Sequence, residues 1–387
     1  MATADGVLVS FSSNDYLGLA QHPEVRAAAA AAAAEWGAGA GSARLVSGST
    51  PVHDALERAL ADFKGTEKAL TFSSGYGAAT GVIPALVGPG DCVVLDRLSH
   101  ACLVDAARLS GARLRVFRHN DLEDLDRILR WADAARKHGF RGDGARRAKG
   151  SETEAEPERE GRVLIVTESI FSMDGDRAPL REIVELKELH GAWLMVDEAH
   201  ATGLMGNRRR GVIEDLGLEG RVELPMGTLG KALGSAGGFV TGSAALIDFL
   251  VNRARSFVFS TASPPAVAAA ATAAVGIVRG ATGAELVARL RSNLERMHQE
   301  LAASGWTLPP PVSPILPLLV GDEEGALKLS AGLREEGFLV PAIRYPTVPR
   351  GRARLRVTVS AAHEPSDLRS FFEALARALG RTGLRPS

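Results

Sequence analysis

Cysteine is nearly absent from this 387-residue chain, which has only Cys92 and Cys102. Two thiols cannot build a disulfide framework or a four-cysteine metal centre, and such low usage suits a reducing compartment; both read as small core residues. An excess of one charge is also missing. Forty-five lysines and arginines face 46 aspartates and glutamates, a net charge of −1, whereas a protein living on nucleic-acid phosphates carries a basic surplus. No run reaches the roughly 18 apolar residues that span a bilayer. The alanine tracts at 27–34 and 266–275 are short and weakly apolar, so they read as soluble helices. The N-terminus lacks the basic patch and apolar stretch of a secretory signal, which makes the cytoplasm the expected address. Aromatics are only 5%, and no repeat period is visible. What is present, 45% apolar and 24% charged residues, is the balance of a globular protein, and at roughly 100–200 residues per domain the length allows about two or three domains.

From 69 to 240, short β-branched runs alternate with longer amphipathic ones, which is the mark of βαβ units around a mostly parallel sheet. The expected strands are 69–73, 92–95, 114–117, 163–167, 193–197, 222–226 and 237–241. Helix signals lie between them: Leu122, Leu125, Ile128, Leu129 and Ala132 recur at helical spacing, and Pro179 occupies a first-turn position. Such a sheet buries both faces, which places its ligand site at the carboxyl ends of the strands. The stretch 139–162 breaks the rhythm with six basic and six acidic residues and almost nothing apolar, and reads as a mobile surface insertion. After 276 the texture changes to a helix ending near Ser304, a proline-rich entry, and strand and helix runs at 315–320, 323–336, 354–359 and 366–379. The expected fold is α/β, with an N-terminal segment 1–45, a large domain 46–275 on a seven-stranded sheet, and a smaller α+β domain 276–387.

Three local matches are each weak alone. Gly75-Tyr76-Gly77 with Asp96 downstream imitates a dinucleotide fingerprint, but Thr80 replaces the third glycine. A nicotinamide-dependent dehydrogenase is the different-class alternative on that feature. Asp197-Glu198-Ala199-His200 spells the DEAH string of helicases, yet no G-x-x-x-x-G-K-[ST] phosphate loop accompanies it. The Gly37–Gly41 run follows polyalanine rather than a strand and reads as a turn.

A single constellation accounts for more. Asp197 closes one strand with His200 three residues on, Thr228-Leu229-Gly230-Lys231 follows the next, and Ser74-Gly75-Tyr76 opens a helix upstream of Ser99-His100. A lysine hemmed by glycine at a strand end suits a Schiff base, and a helix start offers free N–H groups to a phosphate. A buried aspartate beside a pyridine nitrogen would keep it protonated and make the ring an electron sink. The chemistry these residues suggest is that of pyridoxal phosphate.

The strings SSNDYLGLA (12–20), LVSGST (45–50), DRLSHACLVDAA (96–107), FSMDGDRAPL (171–180), WLMVDEAHATG (193–203), GTLGKALG (227–234), PTVPRGRARLRV (346–357) and SAAHE (360–364) resemble the α-oxoamine synthases. These are fold-type-I pyridoxal 5'-phosphate enzymes that join an amino acid to an acyl thioester with loss of carbon dioxide, and the match runs over nearly the whole chain. The resemblance implies that Lys231 anchors the cofactor and takes the Cα proton, that Asp197 partners the pyridine nitrogen, that His200 bonds the phenolic oxygen, and that His100 lies flat on the ring. It makes Gly75, Tyr76 and Thr228 phosphate ligands and Ser172 a cofactor contact. Ser260 and Thr261 match a pair that reaches the phosphate of the neighbouring subunit, which implies a homodimer with shared sites. Arg356 matches the arginine that pairs with the amino acid carboxylate; the bland alternative is an outward arginine alternating with Leu355 and Val357. Thr347 and Asn14 match substrate-side positions. The strings tilt toward L-alanine and a pimeloyl thioester in biotin synthesis, with glycine and acetyl-CoA as the alternative. The acyl carrier, coenzyme A or an acyl carrier protein, stays open, as does Arg208–Arg210 as a carrier-binding patch against a solvated loop. The family also has a longer leader before the SNDYLGL string, with an arginine directed at the distal end of the acyl substrate; here eleven residues precede Ser12.

Overall fold

Runs such as Cys92-Val-Val-Leu-Asp96 and Val163-Leu-Ile-Val-Thr-Glu168 have no polar alternation, and both are buried along their whole length. That pattern belongs in the middle of a parallel sheet covered by helices on both faces. In the computed structural model, which describes residues 2–3, 6–136, 140 and 160–386, they are neighbouring strands of one seven-stranded sheet. Its order is Lys68–Phe72, Gly238–Gly242, Leu224–Thr228, Trp193–Asp197, Val163–Glu168, Cys92–Asp96 and Arg113–Phe117. Every pairing is parallel except those of Gly238–Gly242, which runs antiparallel to both neighbours. The seven expected strands are therefore the seven observed, within two residues at each end. Gly237 falls outside its strand because its φ of 118° lies in the left-handed region.

Amphipathic helices cover the two faces. Gly75–Leu86, Ala101–Leu109 and Ala244–Arg253 pack on one side and Leu122–Arg136 and Leu180–Leu189 on the other. Pro179 caps Leu180–Leu189 rather than occupying its first turn, one position earlier than expected. The alanine-rich helices Pro23–Trp36 and Pro265–Arg279 pack against each other. The alanine tract at 266–275 and the helix expected from 276 to about Ser304 are both present, but their boundary falls at Gly280: Pro265–Arg279 ends there, and Ala281–Ala303 leaves at 77° to it. Among the described residues no single helix is long and apolar enough to cross a membrane. Of the expected insertion, 139 and 141–159 lie outside the described residues. Phe140 within it is buried against Trp131.

The C-terminal part has its own antiparallel sheet, Ile315–Gly321 beside Ala353–Thr358 beside Ala342–Ile343, packed on the helices Glu323–Glu335 and Pro365–Thr382. The N-terminal segment is stitched into it. Val9–Ser10 pairs with Phe338–Leu339, the Phe11 ring stacks on His363 at 4.1 Å and meets Phe371 at 4.5 Å, and the Phe11 carbonyl accepts from the Thr358 N–H. The same segment then crosses to the large sheet. A Cβ on Gly234 would lie 2.3 Å from the Ala20 nitrogen, so only glycine lets the two backbones approach there.

Candidate active site

The carboxyl ends of the central strands deliver the expected residues to one place. Asp197 ends Trp193–Asp197, and its Oδ1 accepts from the Ala199 N–H at 2.8 Å, which turns the chain sharply so that buried His200 comes back over the strand ends. Thr228 ends the adjacent strand. The turn after it is closed by Leu229 N–H to Gly237 O and Gly234 N–H to Lys231 O, both 2.9 Å. Burial moves Lys231 below the ordinary lysine range, against the pull of the Asp197 and Glu168 carboxylates. No described residue hydrogen-bonds or ion-pairs with its ammonium.

Glu168 is the residue that sequence reasoning missed. It closes Val163–Glu168 in register with Asp197 on the next strand, so two carboxyl groups stand side by side under one lysine. Burial first, and the Asp197 charge second, hold Glu168 well above the ordinary carboxyl range. Its Oε1 accepts the His100 backbone N–H at 2.6 Å and so seats the first turn of Ala101–Leu109. Burial also lowers the pKa of His100, with nearby Lys231 contributing, and the neutral ring accepts from the Cys102 N–H through Nδ1. The signal for Glu168 was present as the one acid closing an otherwise apolar run.

His200 is held well below the ordinary histidine range by burial, with Lys231 and Arg356 adding to it. Its Nδ1 lies 2.5 Å from the Tyr16 hydroxyl. Tyr16 is fully buried, and that burial pushes it up to about 12. A chain of contacts continues from Tyr16 to Asn14 Oδ1 at 3.2 Å and from Asn14 Oδ1 to Arg356 Nη2 at 3.2 Å. Arg356 is not outward. It is 5% exposed, donates from Nε to the Ser172 carbonyl at 2.6 Å and from Nη1 to Thr358 Oγ1 at 2.9 Å, and has no carboxylate partner among the described residues. Arg354, two positions earlier on the same strand face, is by contrast ion-paired with Asp174. A buried guanidinium without a counter-ion is suited to receive an anionic ligand.

The residues fit the implied cofactor. In the first turn of Gly75–Leu86, Ser74 Oγ caps the Gly77 N–H at 2.9 Å and the Ala78 N–H begins the helical ladder. The Gly75 and Tyr76 N–H groups keep no acceptor among the described residues. The Thr228 hydroxyl lies 4.0 Å from where a Gly75 Cβ would be, beside that pair. An anion cradle, a lysine unpaired among the described residues, an acid and two neutral histidines therefore surround one space.

Other expected residues behave differently. Ser172 is present through its carbonyl. Ser260 and Thr261 line a small depression with Arg44, His53 and Ser73, and Thr261 bridges to Ala43; none of their described contacts reaches Lys231 or Thr228. Thr347 is exposed in a turn with its N–H on Arg344 O, and no described contact joins it to Arg356. Of the arginine patch, Arg209 donates to the Val278, Arg279 and Gly280 carbonyls, capping Pro265–Arg279, which is a structural use.

A profile of class I and II aminotransferases matches residues 7–375. The chain belongs to this family. Within these aminotransferases it is 49% identical over 381 residues to an 8-amino-7-oxononanoate synthase of Alkalilimnicola ehrlichii, covering 98% of this chain and 90% of that one. It is 46% identical over 370 residues to the synthase of the same name from Geobacter sulfurreducens, covering 96% and 88%. Among solved structures, a serine palmitoyltransferase of Sphingomonas wittichii matches with a TM-score of 0.88 at 34% identity, covering 98% of this chain and 89% of its own. That of S. paucimobilis, solved with bound PLP, gives 0.87 at 33% identity, covering 97% and 88%. The family resemblance read from the strings is borne out, and with it the α/β fold.

The DEAH string has its own account in this chain. Glu198 accepts from buried Lys64 at 2.6 Å and from the Ile213 N–H at 2.9 Å, and Lys64 also donates to Thr202 Oγ1 and to the Arg210 carbonyl. The pair locks the turn between Asp197 and His200. Lys64→Met leaves a buried carboxylate uncompensated and is expected to cost about 3 kcal/mol or more, with most of it recovered in Lys64→Met/Glu198→Leu. Chemical denaturation of the three proteins measures both values.

Proposed function

We propose that the chain catalyses the decarboxylative condensation of L-alanine with a pimeloyl thioester to 8-amino-7-oxononanoate, carbon dioxide and the free thiol carrier, in biotin synthesis. The observation that carries this reading is the half-buried Lys231 set beside Asp197 and, like Arg356, without a carboxylate partner among the described residues, with Arg356 tied to His200 through Asn14 and Tyr16. The near-half identity to two synthases of that name supports the choice of substrates.

The Gly75 and Tyr76 N–H groups and the Thr228 hydroxyl would hold the phosphate of pyridoxal 5'-phosphate, and Asp197 would hold the proton on its ring nitrogen. Bound, the cofactor supplies an electron sink for the pair left when the Cα–H bond breaks. Arg356 binds the alanine carboxylate through its planar fork. Lys231 takes the Cα proton and later returns one. His200 can present an Nε2–H to the phenolic oxygen only if Nδ1 accepts, which requires Tyr16 to aim its single hydroxyl proton at Nδ1, at 2.5 Å, rather than at Asn14 Oδ1, at 3.2 Å; the raised pKa of Tyr16 keeps that proton on the oxygen. His100, neutral and seated by Glu168, would be a further contact of the cofactor ring, as would Ser172. Ser260 and Thr261 complete the phosphate site of a second copy in a homodimer, and Thr347 and Asn14 stand on the substrate side. Coenzyme A or an acyl carrier protein brings the acyl group, and the work is cytoplasmic.

The test is an absorption spectrum of purified protein titrated with L-alanine and with glycine. A visible band that borohydride bleaches while fixing the cofactor on Lys231, and that responds to alanine at lower concentration than to glycine, is expected. Preference for glycine would move the reading to an acetyl-CoA-using relative. A protein that stays colourless after pyridoxal phosphate is added would sink it.

A further inference from the structure

His119 lies outside the cluster just described, in the turn after the edge strand Arg113–Phe117, and both of its ring nitrogens face carboxylates. Nδ1 is 3.0 Å from Asp96 Oδ1 and Nε2 is 2.8 Å from Asp176 Oδ2. Two ring nitrogens that both meet carboxylate oxygens must both donate, so the ring is an imidazolium. Burial opposes the charge, but the hydrogen bonds to Asp176 and Asp96 outweigh it and raise the ring to about 10. The Phe171 ring packs edge-on against it at 4.4 Å. Asn120, the next residue, donates its backbone N–H to Asp96 Oδ2 and its side chain to Asp176 Oδ2, both at 3.0 Å. Asp176 Oδ1 is buried without a partner, so among the described residues His119 is the only cation meeting that carboxylate.

Asp176 belongs to a closed loop. Phe171 N–H bonds Asp176 O at 3.0 Å, Gly175 N–H bonds Phe171 O at 2.9 Å, and Ile170 bridges to Arg177. The tip of this loop carries the Ser172 carbonyl that accepts Arg356 Nε and the Asp174 carboxylate that pairs with Arg354. The loop is thus gripped at its base by the large domain, through His119, and at its tip by the strand that bears the substrate arginine.

We propose that His119 is a positioning residue: bridging Asp96 and Asp176, it fixes the 171–176 loop so that the Ser172 carbonyl holds the Arg356 guanidinium in the orientation that receives the amino acid carboxylate. His119 touches no reacting atom. The inference rests on the reading of Arg356 as the carboxylate site.

The experiment compares wild type, His119→Ala, Arg356→Lys and the double variant, each as holoenzyme, by titrating the cofactor absorbance with L-alanine and by steady-state kinetics. His119→Ala is expected to weaken alanine affinity and raise the alanine KM by about tenfold, leaving the thioester KM within about twofold. Because the effect runs through the Arg356 fork, adding His119→Ala to Arg356→Lys should change alanine affinity by less than about threefold. His119→Gln, which keeps one hydrogen bond, should fall between wild type and alanine, and it carries the comparison where His119→Ala does not fold. Unchanged alanine affinity in a coloured variant, an equal loss for both substrates, or the same loss in both Arg356 backgrounds overturns the proposal. A wild type that binds no amino acid overturns the functional reading, and the inference with it; a wild type that binds while the variants match it overturns the inference alone.

Discussion

Lys231→Ala is expected to lower kcat by at least about 10⁴-fold while the protein still takes up pyridoxal phosphate. The proposed cofactor contacts other than Lys231 sit on separate elements: the Gly75 and Tyr76 N–H groups at a helix start, Thr228 and Asp197 at strand ends, and His200 on the turn beyond. Deleting one side chain from the 229–234 turn leaves them in place. The proton transfer has no ready substitute, because burial and the Asp197 charge raise the Glu168 pKa and disfavour its ionised form, and both histidines already share hydrogen bonds through Nδ1. Burial lowers the Lys231 pKa, which enlarges the neutral fraction that can act as a base; the acid limb of the wild-type rate should therefore fall as pH drops through the Lys231 value. Borohydride reduction followed by peptide mapping checks the anchor, and steady-state rates check the base. A variant turning over near the wild-type rate would falsify both roles.

Arg356→Ala should raise the alanine KM by about 10²- to 10³-fold, with a far smaller effect on the thioester. The unusual part of the expectation is stability. Removing a residue from the core usually destabilises, but among the described residues this guanidinium is a buried cation met only by the Ser172 carbonyl, the Thr358 hydroxyl and the Asn14 amide oxygen. Its desolvation is not offset by any carboxylate among the described residues, so its loss should leave the apo protein's thermal midpoint unchanged or higher. Arg356→Lys keeps the charge without the planar fork and should recover only part of the alanine affinity. An unchanged alanine KM in Arg356→Ala would remove the carboxylate site from Arg356.

The seven strands were legible because each is a short run rich in apolar residues set between longer amphipathic stretches, the alternation that βαβ units around a mostly parallel sheet require. Asp197, Thr228 and Lys231 could be placed at strand ends for the same reason, and the Ser74 cap marked the helix start. The positions that could not be read depend on which strand lies beside which. Glu168 becomes a partner of Asp197 only through the register of two neighbouring strands. Tyr16 meets His200 across 184 positions of chain, and Lys64 meets Glu198 across 134; no local periodicity encodes either contact. Pro179 and the break at Gly280 were misplaced because a proline or glycine marks a boundary without saying on which side of it the helix stands.

The stitching of Val9–Ser10 and Phe11 to the C-terminal strands has a consequence for biosynthesis. A ribosome delivers residues 9–16 more than 300 residues before Phe338–Leu339, Ala353–Thr358 and Ala361, whose N–H bonds the Tyr16 carbonyl. Asn14 and Arg356, 342 positions apart, cannot meet until everything between them has been synthesised. The large sheet can assemble while the chain is still growing, as N-terminal domains generally do, but the link from His200 to Arg356 closes only after the Ala353–Thr358 strand has been made. A nascent chain stalled before residue 353 would carry Lys231 and Asp197 with half of its substrate site unmade.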